Sequence, residues 1–412
     1  MLRGVALLCT GLLLFASSAA AEDGAFVRTI WAPLKGNRFR VNSPDTATGR
    51  FKDRAEAKQK GLLTLAIQDD LAHTSAAHLY LELWGGHPGV ANKRFALNGK
   101  SEYALPEVGA AEENCTYSYP RVPLKLSELQ RGDNRFQFTC DKGRTFWGHF
   151  LLRAAAVELT LKRDHPAVRQ AGLERLSAAV VAAPAEGREK IALAVTVPED
   201  VRPKIAAIEF HGRYLGYDDN GDGRPDDWHG FTKDRAPVAI IAKVEGPHGA
   251  TWDTTMLPDQ QSVAVRAVVH FSHLPDVTFR TGAATVAMPQ RSGTVSIHHA
   301  DTLPRPFWSR AGRRRTCTVN LPYPPGEIQR AELHVAIWDG GRGDTKEPFT
   351  LNGHAINIAG QGRHDLLYRI VPIDPAILKE GANQIALTSS TSHHGIELVL
   401  PGPALVVRRK AR

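Results

Sequence analysis

The chain has 412 residues, 42% of them hydrophobic and 23% charged, a balance that excludes a disordered or collagen-like polymer and leaves room for two or three domains. Its formal charge of +8 favours acidic polysaccharides or anionic envelopes as partners, if it is more than a spread of arginines for solubility. Only Arg310, Arg313, Arg314 and Arg315 form a dense cluster, and no nucleic-acid motif accompanies them, so nucleic acid is set aside.

Residues 1–21 read as a secretory signal. Arg3 is the charged start, Val5 to Phe15 the apolar run, and Ala19-Ala20-Ala21 the small-residue cleavage site. The run is too short to span a bilayer, and Leu8 before Cys9 argues against lipid attachment. No second apolar stretch approaches membrane length, so the expectation is a secreted or periplasmic protein. Residues 22–60, with Trp31 and the charged run Arg50–Lys60, are expected to give an edge strand and then a loop.

A strand follows in which Ala77, Leu79, Leu81 and Leu83 alternate with His78, Tyr80, Glu82 and Trp84. A period of two puts one set on a core face and the other on the opposite face. Leu97-Asn98-Gly99 then reads as a hairpin, because Asn-Gly tolerates positive φ. The same order returns at a shift of 254 residues, with Ala331, Leu333, Val335 and Ile337 before Trp338 and with Leu351-Asn352-Gly353. Downstream the shift shortens by five, so Tyr119, Val122, Leu129, Gly132 and Asn134 lie over Tyr368, Val371, Leu378, Gly381 and Asn383. Two copies of one domain are predicted, assigned to residues 22–162 and 300–412.

Cys9 leaves with the signal. Of the remaining three cysteines, Cys115 lies in the insertion of the first copy, and Cys140 follows the strand Arg135-Phe-Gln-Phe-Thr. A Cys115–Cys140 disulfide is predicted; it would close a loop of about 25 residues and contribute about 3 kcal/mol on the chain-entropy view. Cys317, over Leu63 in the repeat, is expected to be a buried thiol acting as a small apolar residue.

Residues 163–172 read as a linker, and 173–290 as a middle domain of short strands near 176–182, 191–197, 205–210, 238–244 and 263–271. Within it, Tyr217-Asp-Asp-Asn-Gly-Asp-Gly-Arg-Pro-Asp-Asp-Trp228 places Asp218, Asn220 and Asp222 at alternate positions before Gly223. Oxygen donors so spaced converge on a hard cation, with Arg224 giving a carbonyl and Asp226 the ninth position. The loop resembles those of dockerins, EF-hands and thrombospondin type 3 repeats, which implies a structural Ca2+. It departs from them at the twelfth position, His229, where a carboxylate is expected; a merely acidic turn is the competing reading. Trp252-Asp-Thr-Thr before Pro258-Asp259 and Val263-Ala-Val-Arg-Ala resembles bacterial immunoglobulin-like modules. Residues 290–313 read as a connection to the second copy.

In that copy, Val371-Pro-Ile-Asp-Pro-Ala-Ile-Leu-Lys-Glu-Gly-Ala-Asn-Gln-Ile-Ala-Leu387 predicts a strand, one helical turn ending near Gly381, and a strand. With the Leu-Asn-Gly hairpin, this order resembles the galactose-binding-like jelly rolls found as carbohydrate-binding modules and in glycoside hydrolases. The fold class predicted is therefore all-β, tandem β-sandwiches: two jelly rolls with an Ig-like sandwich between them.

Trp84 and Trp338, at equal places opposite the apolar stripe, are candidate platforms for sugar rings, with Asp339 and Asn352 adding polar contacts. The competing readings are a second core layer for the tryptophans and a plain turn for Asn352. His393, His394 and Glu397 suggest zinc only weakly, since their spacing is no known signature. Glu82, Asp339, Glu347 and Glu397 are candidate paired carboxylates for glycoside cleavage. G-x-S-x-G, H-E-x-x-H and phosphate-loop motifs are all missing from the sequence. The reading favoured is an exported, non-catalytic protein that binds a glycan or surface polymer. The alternatives are a glycosidase or amidase built on paired jelly rolls, as in peptide-N-glycosidase F-type enzymes, and a structural scaffold of the envelope.

Overall fold

The structure is a computed structural model that describes residues 24–34, 39–44, 61–86, 90–106, 117–141, 148–185, 189–219, 223–229, 240–304, 308–309, 313–339, 349–358, 365–388 and 396–410. The signal segment, Cys115, Asn220, Asp222, Glu347, His393 and His394 lie outside these residues. The fold is all-β, as tandem β-sandwiches. Among the described residues the only α-helix longer than a turn is Pro166–Gln170, which falls in the stretch read as a linker.

In the first sandwich a four-stranded sheet runs Leu62–Ile67, Gly132–Asp141, Ala91–Leu97, Glu102–Ala104. In the third, the order is Arg315–Leu321, Gly381–Leu387, Phe349–Leu351, His354–Ile356. The two orders match strand for strand, and so do the Asn-Gly turns. Asn98 and Asn352 take φ of 51° and 52°. Asn98 donates to Glu128 O and Asn134 Oδ1 and accepts from Arg135 N. Asn352 donates to Ile377 O and Asn383 Oδ1 and accepts from Gln384 N. Asn134 and Asn383, both fully buried, in turn hold their own preceding turns through Gln130 and Lys379. Burying an amide is tolerable because each of its groups is paired. The helical turn expected before Gly381 is present at Pro375–Ile377, capped by Asp374 Oδ1 on Ala376 N.

Facing the first four-stranded sheet is a sheet of twelve strands that runs on into the middle unit. Its main path is Trp228–His229, Ile205–Arg213, Ser262–Phe271, Leu274–Arg280, Ala25–Trp31, His149–Leu161, Thr74–Trp84, Tyr117–Ser118. Ala25–Trp31 is therefore not an edge strand. It pairs with His149–Leu161 on one side and Leu274–Arg280 on the other, and seals two sandwiches into one sheet. The hydrophobic core follows: one cluster reaches from Leu63, Phe95 and Phe136 to Phe210, Val265 and Trp252. The third unit keeps a separate core around Val319, Leu333, Phe349 and Ile385, and Cys317 belongs to it. Burial pushes the Cys317 thiol up to about 12, so it behaves as the apolar residue expected.

The stretch 290–313 is more than a connection. Gly293–His299 pairs with the C-terminal strand Ala404–Lys410 and so plays for the third unit the part Ala25–Trp31 plays for the first. Arg408 on that C-terminal strand ties the third unit to the middle one, through both carboxylate oxygens of Glu189, Thr255 O and Ser292 Oγ. The Arg408 guanidinium holds Glu189 down at about 2.

Candidate functional site

Alternation gives the long sheet two faces. Ile208, Phe210, Val265 and Val269 point into the core. Glu209 and His211 are two apart on Ile205–Arg213, and their cross-strand partners are Val268 and Arg266. Register carries the same face across the junction: Val268 faces Arg280, Val27 faces Thr278, Thr29 faces Glu158, Trp31 faces Ala156, and Ala156 faces Tyr80. Residues from these six strands, with Arg121 of Arg121–Leu124 across from Tyr80, share one polar surface and line a cavity of about 270 Å³. Its walls include Trp31, Tyr80, Arg121, Glu158, Glu209, His211, Arg266, His270 and Arg280.

At one end Trp31 and Tyr80 stand on either side of the fully buried Ala156. Their rings meet edge to face at 5.9 Å. Beside them Glu158, buried, is bound by two guanidiniums. Arg121 approaches to 2.6 Å, and Arg280 bonds the other oxygen. Burial alone would raise this carboxyl, but the two arginines outweigh it and hold Glu158 down at about 2. At the other end Glu209 is buried against Lys243 at 3.1 Å and His270 at 3.4 Å. Burial again works upward on Glu209, and the contacts with His211, His270 and Lys243 hold it well below the carboxylate range.

His211 is only 3% exposed. Its Nε2 stands 3.6 Å from Glu209, beyond hydrogen-bond length, and neither ring nitrogen has a hydrogen-bond partner. Burial pushes the ring down to about 4, so it is neutral at pH 7. The guanidinium of Arg266, cross-strand from His211, lies 4.1 Å over the Trp228 ring.

Trp84 and Trp338 come together elsewhere. Both are half-buried against a small cluster in which Tyr117 of the first unit meets Ala336, Leu366 and Val399 of the third, with Tyr119 at its side. They lie against this contact between sandwiches. Asn352 is the turn residue described above. The Asp339 side chain lies outside what is described. Glu82, fully buried, accepts from Tyr80 and Tyr117 at 3.4 and 3.3 Å. Glu397 is buried and sits directly across from Trp338.

The middle unit reaches this contact through the start of its Asp-rich loop. Tyr217 donates to Gly402 O at 2.6 Å and stacks on Tyr368 at 5.6 Å. Asp219 is buried, and burial followed by its charge raises the Tyr119 and Tyr368 phenols well above the usual range. Of the predicted metal ligands, Asp218 is buried and its Oδ2 accepts from Gly223 N at 2.8 Å, which closes the turn a cation would need. Arg224 and Asp226 are exposed. His229 contacts Pro225 O at 2.9 Å and packs on Tyr214, so it supplies no twelfth ligand. Among the described residues no group of three or more His, Cys, Asp or Glu is placed to hold a metal. Cys140 is buried in its strand, its expected partner Cys115 lies outside the described residues, and no disulfide is seen among them.

The sequence signal for the cavity was a polar residue at every second place in otherwise apolar strands. Arg266 and His270 fall at such places in Ser262–Phe271. Glu158, Glu209 and Arg280 did not stand out, because their strands meet only in the folded sheet.

No protein-family model matches the chain, and no curated protein does. Among solved structures it is similar to a β-porphyranase of glycoside hydrolase family 86 from the human gut bacterium Bacteroides plebeius, at 15% identity and a TM-score of 0.25 over 58% of this chain and 37% of that one. It is similar too to a β-glucuronidase from an uncultured Clostridium species, at 7% identity and a TM-score of 0.19 over 70% of this chain and 48% of that one. This chain therefore spans less than half the length of either. No helix among the described residues is long and apolar enough to cross a membrane.

Proposed function

We propose that this is an exported glycan-binding protein whose ligand enters the cavity on the shared sheet face, and that it binds without cleaving. The observation that carries the reading is the Trp31–Tyr80 pair in the cavity wall, beside a fixed network of charged groups. Aromatic rings cover the apolar faces of sugars, while a few oriented polar groups read the hydroxyls. Cleavage of a glycosidic bond needs a carboxylic acid that still holds its proton, and a second carboxyl within about 10 Å. Glu158 and Glu209 are both held ionised, and their strands are four places apart, roughly 19 Å at the backbone. The first and third units are read as two galactose-binding-like jelly rolls around an Ig-like sandwich, on the strength of their matching strand orders and asparagine networks.

A glycan array should show binding by the full chain, and Trp31→Ala should weaken it at least tenfold with the circular dichroism spectrum unchanged. Binding indifferent to Trp31 moves the site elsewhere; silence of the wild type on every glycan leaves the scaffold. A second reading, glycan hydrolysis or amide cleavage, has its own support. Glu82, Asp219 and Glu397, each buried, are contributed by three different units to one contact region. Release of product on incubation, abolished in Glu82→Gln, would replace binding by turnover.

The Asp218–Asp226 loop is proposed as a structural calcium site that stiffens the segment carrying Tyr217. Calcium should then give heat in a calorimetric titration and raise the melting temperature by several degrees. A flat titration with an unmoved melting curve leaves only an acidic turn.

A further inference from the structure

Two features of the cavity ask for a particular ligand. The first is charge. Arg121 and Arg280 share the single carboxylate of Glu158, which leaves one positive charge over at that end. Glu209, at the other end, is matched by Lys243. Asp276, the remaining acid of the lining, is exposed at the rim, where water screens it. The second feature is His211. A neutral imidazole presents one donor and one acceptor, and leaving both unmet inside a protein costs about 1–3 kcal/mol per group. A sugar hydroxyl offers the reciprocal pair. The side chain lines the cavity and is almost completely buried, so the group that meets it has to come from within.

Resting on the glycan reading above, we propose that the cavity selects an acidic saccharide: its anionic group lies against Arg121 and Arg280, and a ring hydroxyl is read by His211. Trp31 and Tyr80 then cover the ring while the guanidiniums fix its charged edge, an orientation that a neutral sugar would lack. Guanidinium is suited to this, since its planar fork matches a carboxylate or a sulfate and stays charged throughout the accessible pH range. Arg121 is the more accessible of the two, and its removal leaves Glu158 paired with Arg280.

The experiment is calorimetric titration of the full chain with three matched oligosaccharides: one bearing glucuronic acid, its carboxyl-reduced neutral counterpart, and a sulfated one. The wild type should bind at least one acidic form ten times or more tighter than the neutral form, with the preference shrinking between 50 and 500 mM salt. Whichever acidic form wins distinguishes carboxylate from sulfate. Arg121→Gln should bring the ratio of acidic to neutral affinity to within about twofold of one. His211→Leu should weaken acidic and neutral sugars alike by about tenfold, with a melting temperature equal to or above the wild type, which a merely structural histidine would not give. Equal affinity for neutral and acidic forms, or a preference indifferent to salt, overturns the proposal and leaves glycan binding standing. Failure of all three sugars to bind overturns this proposal, and a blank glycan array alongside it would remove the parent reading as well. The salt series and the reduced sugar need no variant, so the test survives if a substituted chain fails to fold.

Discussion

Arg280→Ala is expected to destabilise the fused first and middle units by about 3 kcal/mol at pH 7, because it leaves a buried carboxylate with one cation in place of two. The pH dependence distinguishes this cause from simple loss of packing. Glu158 has a folded-state value of about 2 against an ordinary 4.5. A depressed carboxyl stabilises the fold fully above its unfolded value, and that contribution is lost as pH falls from about 4.5 towards 2. A shift of that size corresponds to about 3 kcal/mol in the wild type. Without Arg280 the burial term, which works upward, is opposed by Arg121 alone, so the folded value rises and the gain shrinks. Urea unfolding at pH 7, 4 and 3 should therefore show wild type and variant converging as the solution is acidified. A gap of constant size at all three would mean that Arg280 contributes its alkyl chain and not its charge.

What made the fold legible was local. Asn98-Gly99 and Asn352-Gly353 declare themselves because a left-handed turn has few sequence solutions, and the strands before them declare themselves by their period of two. Val263–Phe271 was equally plain. Ala25–Trp31 was not, since nothing in Ala-Phe-Val-Arg-Thr-Ile-Trp says that its partners lie more than a hundred residues away on both sides, in two different sandwiches. The same long-range pairing builds the cavity, so Glu158 and Glu209 looked like unrelated acids in unrelated strands. Gly293–His299 was missed for a similar reason: it begins on a glycine four residues after Pro289 and pairs with the C-terminal strand Ala404–Lys410. The tryptophans were legible as equivalent residues, but equivalence in a repeat does not say what covers them. Here both pack against one small cluster drawn from the first and third units.

The duplicated asparagine network offers the sharpest test of how these pieces cooperate. Asn98→Ala removes three side-chain hydrogen bonds, each worth about 1 kcal/mol, and puts a Cβ without a compensating amide at positive φ, so a loss of roughly 3–4 kcal/mol is expected. Asn352→Ala should cost the same, by the same bonds. The two losses should nonetheless appear in different places. Asn98 sits in a core that runs without a break into the middle unit, whereas the turn at Asn352 closes over a core of its own. Scanning calorimetry should then resolve two transitions, with Asn98→Ala lowering the larger and Asn352→Ala the smaller. Substitution by glycine at either position should recover only the backbone share, because φ is relieved while the bonds stay broken. The polar ties from Arg408 to Glu189 and from Tyr217 to Gly402 link the two cores without merging them, so Arg408→Ala should move the transitions further apart. A single transition shifted equally by both alanine variants would mean that these few ties, and not the cores, set the cooperative unit.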